Sequence, residues 1–198
     1  MMRVLMVASA AALVAGCGTP TTTDNGVATG NETVVTNDEV VLNDSAAANA
    51  SAGTSASADL QTADGKAAGH ATAEETAEGI RIVFDGTGLP KGTHGLHVHT
   101  TGKCDGPEFT TAGGHWNPTM HQHGSLNPQG PHVGDLPNLE VAADGTAHLE
   151  GTLAGGTIAG LLDADGSSIV VHAGPDDLKS DPAGNSGARI ACGVFKAS

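Results

Sequence analysis

Tyrosine is absent from this 198-residue chain, and one tryptophan and three phenylalanines supply all of its aromatic surface. With 29 glycines beside them, that scarcity argues against a helical core built on large side chains. No stretch shows a helical period of apolar residues. Basic charge is short as well. Eight Lys and Arg stand against 22 Asp and Glu, a formal net charge of −14, which disfavours nucleic acid and anionic membrane surfaces as partners. The apolar run Val4 to Ala15 is too short to span a bilayer. At this length the chain has room for one domain plus extras.

What is present begins with a targeting segment. Arg3 supplies a positive n-region and Val4 to Ala15 an apolar h-region. The segment closes in Val14-Ala15-Gly16-Cys17, which resembles the bacterial lipobox, with cleavage before Cys17 and lipidation of its thiol. Gly18 is not the aspartate that retains bacterial lipoproteins in the inner membrane, so the expected location is the periplasm, anchored to the outer membrane. Residues 1–16 are thus expected to be a signal peptide and 17–56 a lipidated flexible tether. The tether is rich in Thr, Asn, Ala, Ser and Asp and buries too little to offset chain entropy.

Residues 57–198 are expected to form the folded domain. Asp64-Gly65 and Asp144-Gly145 are hairpin signals, and Asp85-Gly86 and Asp165-Gly166 mark further turns. Partial alternation predicts strands at 58–62, 67–75, 78–84, 94–99, 139–143, 146–153, 158–162, 168–172 and 189–194. Short strands at this spacing indicate an antiparallel sandwich or barrel. Two segments, 100–138 and 173–188, break the rhythm and are read as functional loops. With Cys17 lipidated, Cys104 and Cys192 remain, and export favours a disulfide between them. It would close a loop of about 88 residues, a contribution on the order of 4 kcal/mol.

Seven of the ten histidines fall between residues 94 and 132. His97 and His99 are two apart, so on a strand both imidazoles leave one face while Val98 points to the core. Such a pair alone is weak, since exposed histidines give the same letters; the density around it points to metal. Imidazole suits zinc, copper, iron and nickel, and a carboxylate added to several histidines suits zinc.

Five motifs, in order, resemble the copper/zinc superoxide dismutase family: Gly95-Leu-His-Val-His99, Ala112-Gly-Gly-His-Trp-Asn-Pro118, His132-Val-Gly-Asp-Leu136, Val170-Val-His-Ala-Gly-Pro-Asp-Asp177 and Gly187-Ala-Arg-Ile-Ala-Cys-Gly193. The resemblance covers about residues 58–196. It implies an eight-stranded antiparallel Greek-key barrel with two long functional loops, holding one copper and one zinc ion per subunit. His97, His99, His115 and His172 would hold copper; His115, His123, His132 and Asp135 would hold zinc. His115 would bridge the two as an imidazolate and supply a proton during catalysis. Asp176 matches a carboxylate that links His97 to His123, and Arg189 a cation at the channel mouth that attracts superoxide, the substrate. Leu96 stands where the family usually has phenylalanine, Trp116 replaces another aromatic, and Ala183 stands where many relatives have threonine.

The resemblance leaves monomer and homodimer open, and gives His70, His94, His121 and His148 no metal role. A non-enzymatic metal carrier on the same domain is the competing reading; Arg189 and the complete ligand set favour an enzyme.

Overall fold

The computed structural model describes residues 54–198. Its first three strands, β1 (Ser55–Thr62), β2 (Ala67–Thr76) and β3 (Gly79–Gly86), form a meander. β1 starts ahead of the expected boundary at 57, and Ala56 is already in the core. Small inward residues on two strands, Ala56, Ala58, Ala71 and Ala73, lie beside Ile80, Ile82 and Phe84 on the third. Alternating small and large residues fill a narrow barrel without many aromatics. Each fully buried isoleucine or phenylalanine contributes about 1.5–3 kcal/mol.

The remaining strands are β4 (Gly92–His94), β5 (Leu96–His99), β6 (Leu139–Val141), β7 (Ala147–Ala154), β8 (Ser168–His172), β9 (Arg189–Val194) and β10 (Lys196–Ala197). Hydrogen bonds connect them in the order β4-β6-β7-β3-β2-β1-β9-β8-β5, with β10 paired back onto β1. β4 and β5 end that path on opposite sides yet are consecutive in the chain, parted only by Gly95. Taken as one bent strand they close an eight-stranded barrel. The chain passes from β3 to β4 across β7 and β6, a Greek-key crossing. Glycine is required at position 95, because a Cβ there would lie 2.8 Å from Ser186 Cβ.

One predicted strand is wrong. Residues 158–162 contain a one-turn helix, α1 (Ile158–Leu161). Thr157 caps it, its side chain accepting from Gly160 N, and Glu75 Oε2 accepts from Ile158 N at 2.8 Å. Ile158 and Leu161, three apart, are both buried, which is helical spacing in a run too short to reveal it. Trp116 packs over this turn, against Gly156 and Gly160. A single 3-10 turn at Thr110–Ala112 interrupts the first long loop.

Candidate metal centre

Backbone pairing along β5 sets the site. Loop 100–138 returns to this strand twice. Trp116 N donates to Val98 O at 2.8 Å, and Val98 N to Gly134 O at 2.9 Å. These bonds pair His99 with His115 and His97 with Asp135 as antiparallel bridges. On β5 itself all four residues are buried: Leu96 and Val98 belong to the hydrophobic core, and His97 and His99 alternate with them. β8 lies on the other side of β5 and ends at His172. The Cys104–Cys192 disulfide ties the start of the loop to β9, its Cα atoms 5.6 Å apart.

Sequence-distant histidines therefore converge. The ligand atoms of His97, His99, His115 and His172 all lie within 4.8 Å of one another, and so do those of His115, His123, His132 and Asp135. The second nitrogen of each ring shows which atom is available. His97 Nε2 donates to Asp176 Oδ2 at 2.7 Å, His99 Nδ1 to Gly113 O at 3.0 Å and His172 Nδ1 to Gly187 O at 3.2 Å. That leaves His97 Nδ1 and the Nε2 atoms of His99 and His172, the last two 3.4 Å apart. In the other set, Asp135 Oδ1 lies 2.8 Å from His115 Nδ1, 3.1 Å from His123 Nδ1 and 3.3 Å from His132 Nδ1. Its Oδ2 accepts from Gly124 N and His132 N, which fixes the carboxylate.

The donors fit metal ions on an independent count. His97 Nδ1, His115 Nε2 and His123 Nδ1 are buried and make no hydrogen bond; the 3.1 Å approach of His123 to Asp135 lacks hydrogen-bond direction. A buried polar atom without a partner costs about 1–3 kcal/mol. Three of them, aimed into two four-donor clusters, are what ligation by cations would satisfy. Burial also pushes three imidazoles of the first cluster down, His97 to about 4, His172 to about 3 and His99 to about 2. They are thus neutral at physiological pH, the form that donates a lone pair.

Asp176 joins the two clusters. Besides His97 Nε2 it accepts from His123 Nε2 at 3.0 Å, so one carboxylate orients a ring in each set. Burial alone would raise its pKa, but the hydrogen bonds from His123, His97 and Leu178 N hold it well below the usual carboxylate range. Although Asp176, His97 and His123 also lie close enough to hold an ion, both Asp176 oxygens already face Nε2 atoms, which makes this trio an orienting link. Asn138 locks Asp176 in place, donating to its carbonyl and accepting from its N–H, both at 2.8 Å. A Cβ on Gly184, at φ +60°, would collide with the same carboxylate. Neither Asn138 nor Gly184 carried a signal in the sequence.

Arg189 stands at the edge of the first cluster. Its Nη1 donates to Phe109 O at 2.7 Å and Nη2 to Gly113 O at 2.6 Å. Gly113 O also accepts from His99 Nδ1, so one carbonyl separates the guanidinium from a ring of the four-histidine set. The other histidines settle outside. His94 is buried, with Nδ1 2.8 Å from His172 O and Nε2 2.9 Å from Pro90 O. His148, which the sequence left without a partner, contacts Asp85 at 2.7 Å across paired strands, and His70 contacts Asp59 in the same way. Asp177 ties its own turn, accepting from Lys179 N and Ser180 N.

Residues 63–195 match the model of the copper/zinc superoxide dismutase family. A superoxide dismutase [Cu-Zn] of Caulobacter vibrioides is 48% identical over 145 residues, covering 69% of this chain and 83% of that protein. The crystal structure of a superoxide dismutase-like protein from Bacillus subtilis superposes with a TM-score of 0.66 at 39% identity, over 70% of this chain and 96% of that one. The Cu/Zn superoxide dismutase from Brucella abortus gives a TM-score of 0.60 at 30% identity, over 72% and 99%. Fold, paired donor clusters, family match and relatives agree: the chain belongs to the copper/zinc superoxide dismutase family.

Proposed function

We propose that His97 Nδ1 and the Nε2 atoms of His99, His172 and His115 hold copper, and that the Nδ1 atoms of His115, His123 and His132 with Asp135 hold zinc. The activity is superoxide dismutation: one superoxide is oxidised to dioxygen and another is reduced to hydrogen peroxide, with proton uptake. Copper, when bound, supplies the one-electron redox chemistry, and a closed His3Asp set suits a structural zinc. His115 carries the reading. Its Nδ1 faces Asp135 at 2.8 Å while its Nε2 is buried without a partner, so one imidazole addresses both clusters.

Each residue then has a defined task. Asp176 orients His97 and His123. His115 would carry a proton at Nε2 only in the part of the cycle when that nitrogen is not holding copper, and would pass it to the peroxide product. Arg189, fixed by two carbonyls, draws the anionic substrate toward His99 and its neighbours. The experiment is superoxide consumption together with metal analysis. One copper and one zinc per chain are expected, with His172→Ala losing copper and activity while keeping zinc, and Asp135→Ala losing zinc and stability first. Full activity in copper-replete His172→Ala protein would refute the copper set. No superoxide consumption by fully loaded wild-type protein would favour a metal carrier.

We also infer a periplasmic, lipid-anchored protein that protects the cell envelope. The signal segment, Cys17 and tether residues up to 53 lie outside the described residues; the lipobox-like Val14-Ala15-Gly16-Cys17 after Arg3 and an apolar stretch supports the reading. Among the described residues no helix is long and apolar enough to cross a membrane. Cys17→Ser should release the protein from membranes at unchanged specific activity. A variant that still sediments with membranes would refute the anchor.

A further inference from the structure

His121 has no place in either donor cluster, yet it is held with unusual care for an exposed side chain. Asn117 grips its backbone from both sides, accepting from His121 N at 3.1 Å and donating to His121 O at 2.9 Å. The ring is fixed as well, with Nδ1 donating to Pro131 O at 3.2 Å. A carbonyl can only accept, so the proton of this bond sits on Nδ1, and Nε2 is the ring nitrogen left to take a ligand. An imidazole held this way presents one nitrogen to a borderline cation.

His121 also lines a cavity of about 200 Å³ whose wall includes His132 and Asp135, two residues of the proposed zinc set. Those two are where the set comes nearest to solvent. Their side chains are 8% and 5% exposed, against 2% for His115 and 0% for His123. Asp181, half exposed, places a carboxylate oxygen 3.7 Å from His132 Nε2, adding negative charge at the inner end.

We propose that His121 is the receiving ligand of a zinc-loading path, from which the ion passes through this cavity to His132 and Asp135. The proposal rests on the zinc assignment above. Stripping the whole hydration shell from a divalent ion in one step is prohibitive. A fixed imidazole at the mouth lets the hydrated ion exchange one water for nitrogen before the inner ligands replace the others. The ion stays divalent, each bond to nitrogen replaces a bond to a water that leaves, and no electron moves. A ligand used only in transit speeds loading and release alike and leaves final occupancy unchanged.

The test is exchange of isotopically labelled zinc into the full-length, copper- and zinc-loaded protein, followed by native mass spectrometry. His121→Gln should slow exchange about tenfold, the lower end of what a lost metal-orienting contact costs, at unchanged zinc content and dismutase activity. Thr152→Trp, which fills the cavity from β7 and leaves His121 in place, should slow it as well. Unchanged exchange in His121→Gln overturns the proposal whatever Thr152→Trp does. Slowing in His121→Gln with none in Thr152→Trp overturns the cavity as the route. Loss of bound zinc in His121→Gln also overturns it, because His121 would then be a resident ligand. Asp135→Ala is the separate control: a full zinc equivalent in that variant would remove the zinc assignment itself.

Discussion

Replacing Cys104 and Cys192 by alanine cuts a link between residues 88 positions apart. The chain-entropy relation gives about 4.6 kcal/mol for a loop of that length, through freedom returned to the unfolded chain. For a domain of this size each kcal/mol moves the melting temperature by about 2–4 °C, so a fall of about 9–18 °C is expected. The native side adds a second effect. Cys192 is packed with Phe109, Ala112 and Val170 in a small cluster apart from the main core, with half-buried Cys104 against it. That cluster holds the segment whose Phe109 and Gly113 carbonyls anchor Arg189. Calorimetry at fixed protein and metal concentration measures the first effect, and kcat/KM for superoxide the second. A melting temperature lowered by less than about 4 °C would show that the link does not act through the unfolded chain. An unchanged kcat/KM would show that Arg189 is positioned without it.

Arg189→Glu should lower kcat/KM at least about tenfold with both metals bound, because a fixed cation beside the site becomes an anion. The net charge of −14 opposes the substrate, but charges farther off than the Debye length, about 8 Å at physiological ionic strength, are screened. The wild-type rate should therefore fall as salt rises; a rate that climbs would show that the global charge dominates. The metal-free protein should be most stable near pH 6.5. Below it the unfolded chain takes up protons that buried His97, His99 and His172 refuse, costing about 1.4 kcal/mol per pH unit for each group. Above it, stability falls through His123. Desolvation opposes that proton, but Asp135 and Asp176 outweigh it and raise the pKa to about 9, so the folded state holds a proton that the unfolded chain has released. Denaturation midpoints across pH check this, and stability that keeps rising from pH 6.5 to 9 would contradict it.

The sequence revealed those parts of the site that depend on residue type. An imidazole or a carboxylate is visible as a letter, and the two-residue step from His97 to His99 already implies one face of a strand. Arg189's partners are backbone carbonyls, which every residue possesses, so nothing distinguished Phe109 or Gly113. The contact of His148 with Asp85 needed the register of β3 against β7, set by residues 63 positions apart. The single strand predicted over 94–99 divides at Gly95, where the absence of a Cβ makes room for Ser186, a neighbour far along the chain that the local pattern could not show. α1 was misread because a four-residue apolar run has no period, and its first turn is held by the Thr157 cap and by a carboxylate from a distant strand, Glu75.

The closing of the barrel at Gly95 leaves one rim of β5 without a neighbouring strand, and the ligand-bearing loop lies there. Val98 N and Val98 O, groups that would otherwise invite a strand from another molecule, are taken by Gly134 and Trp116. An uncovered edge is a template for aggregation. His115 and Asp135 ride on the covering backbone, so the same segment that presents two donors also shields the rim. Presenting donors and covering the edge are therefore tasks of one loop: whatever loosens His115 and Asp135 also uncovers two backbone groups able to pair with a strand from another molecule.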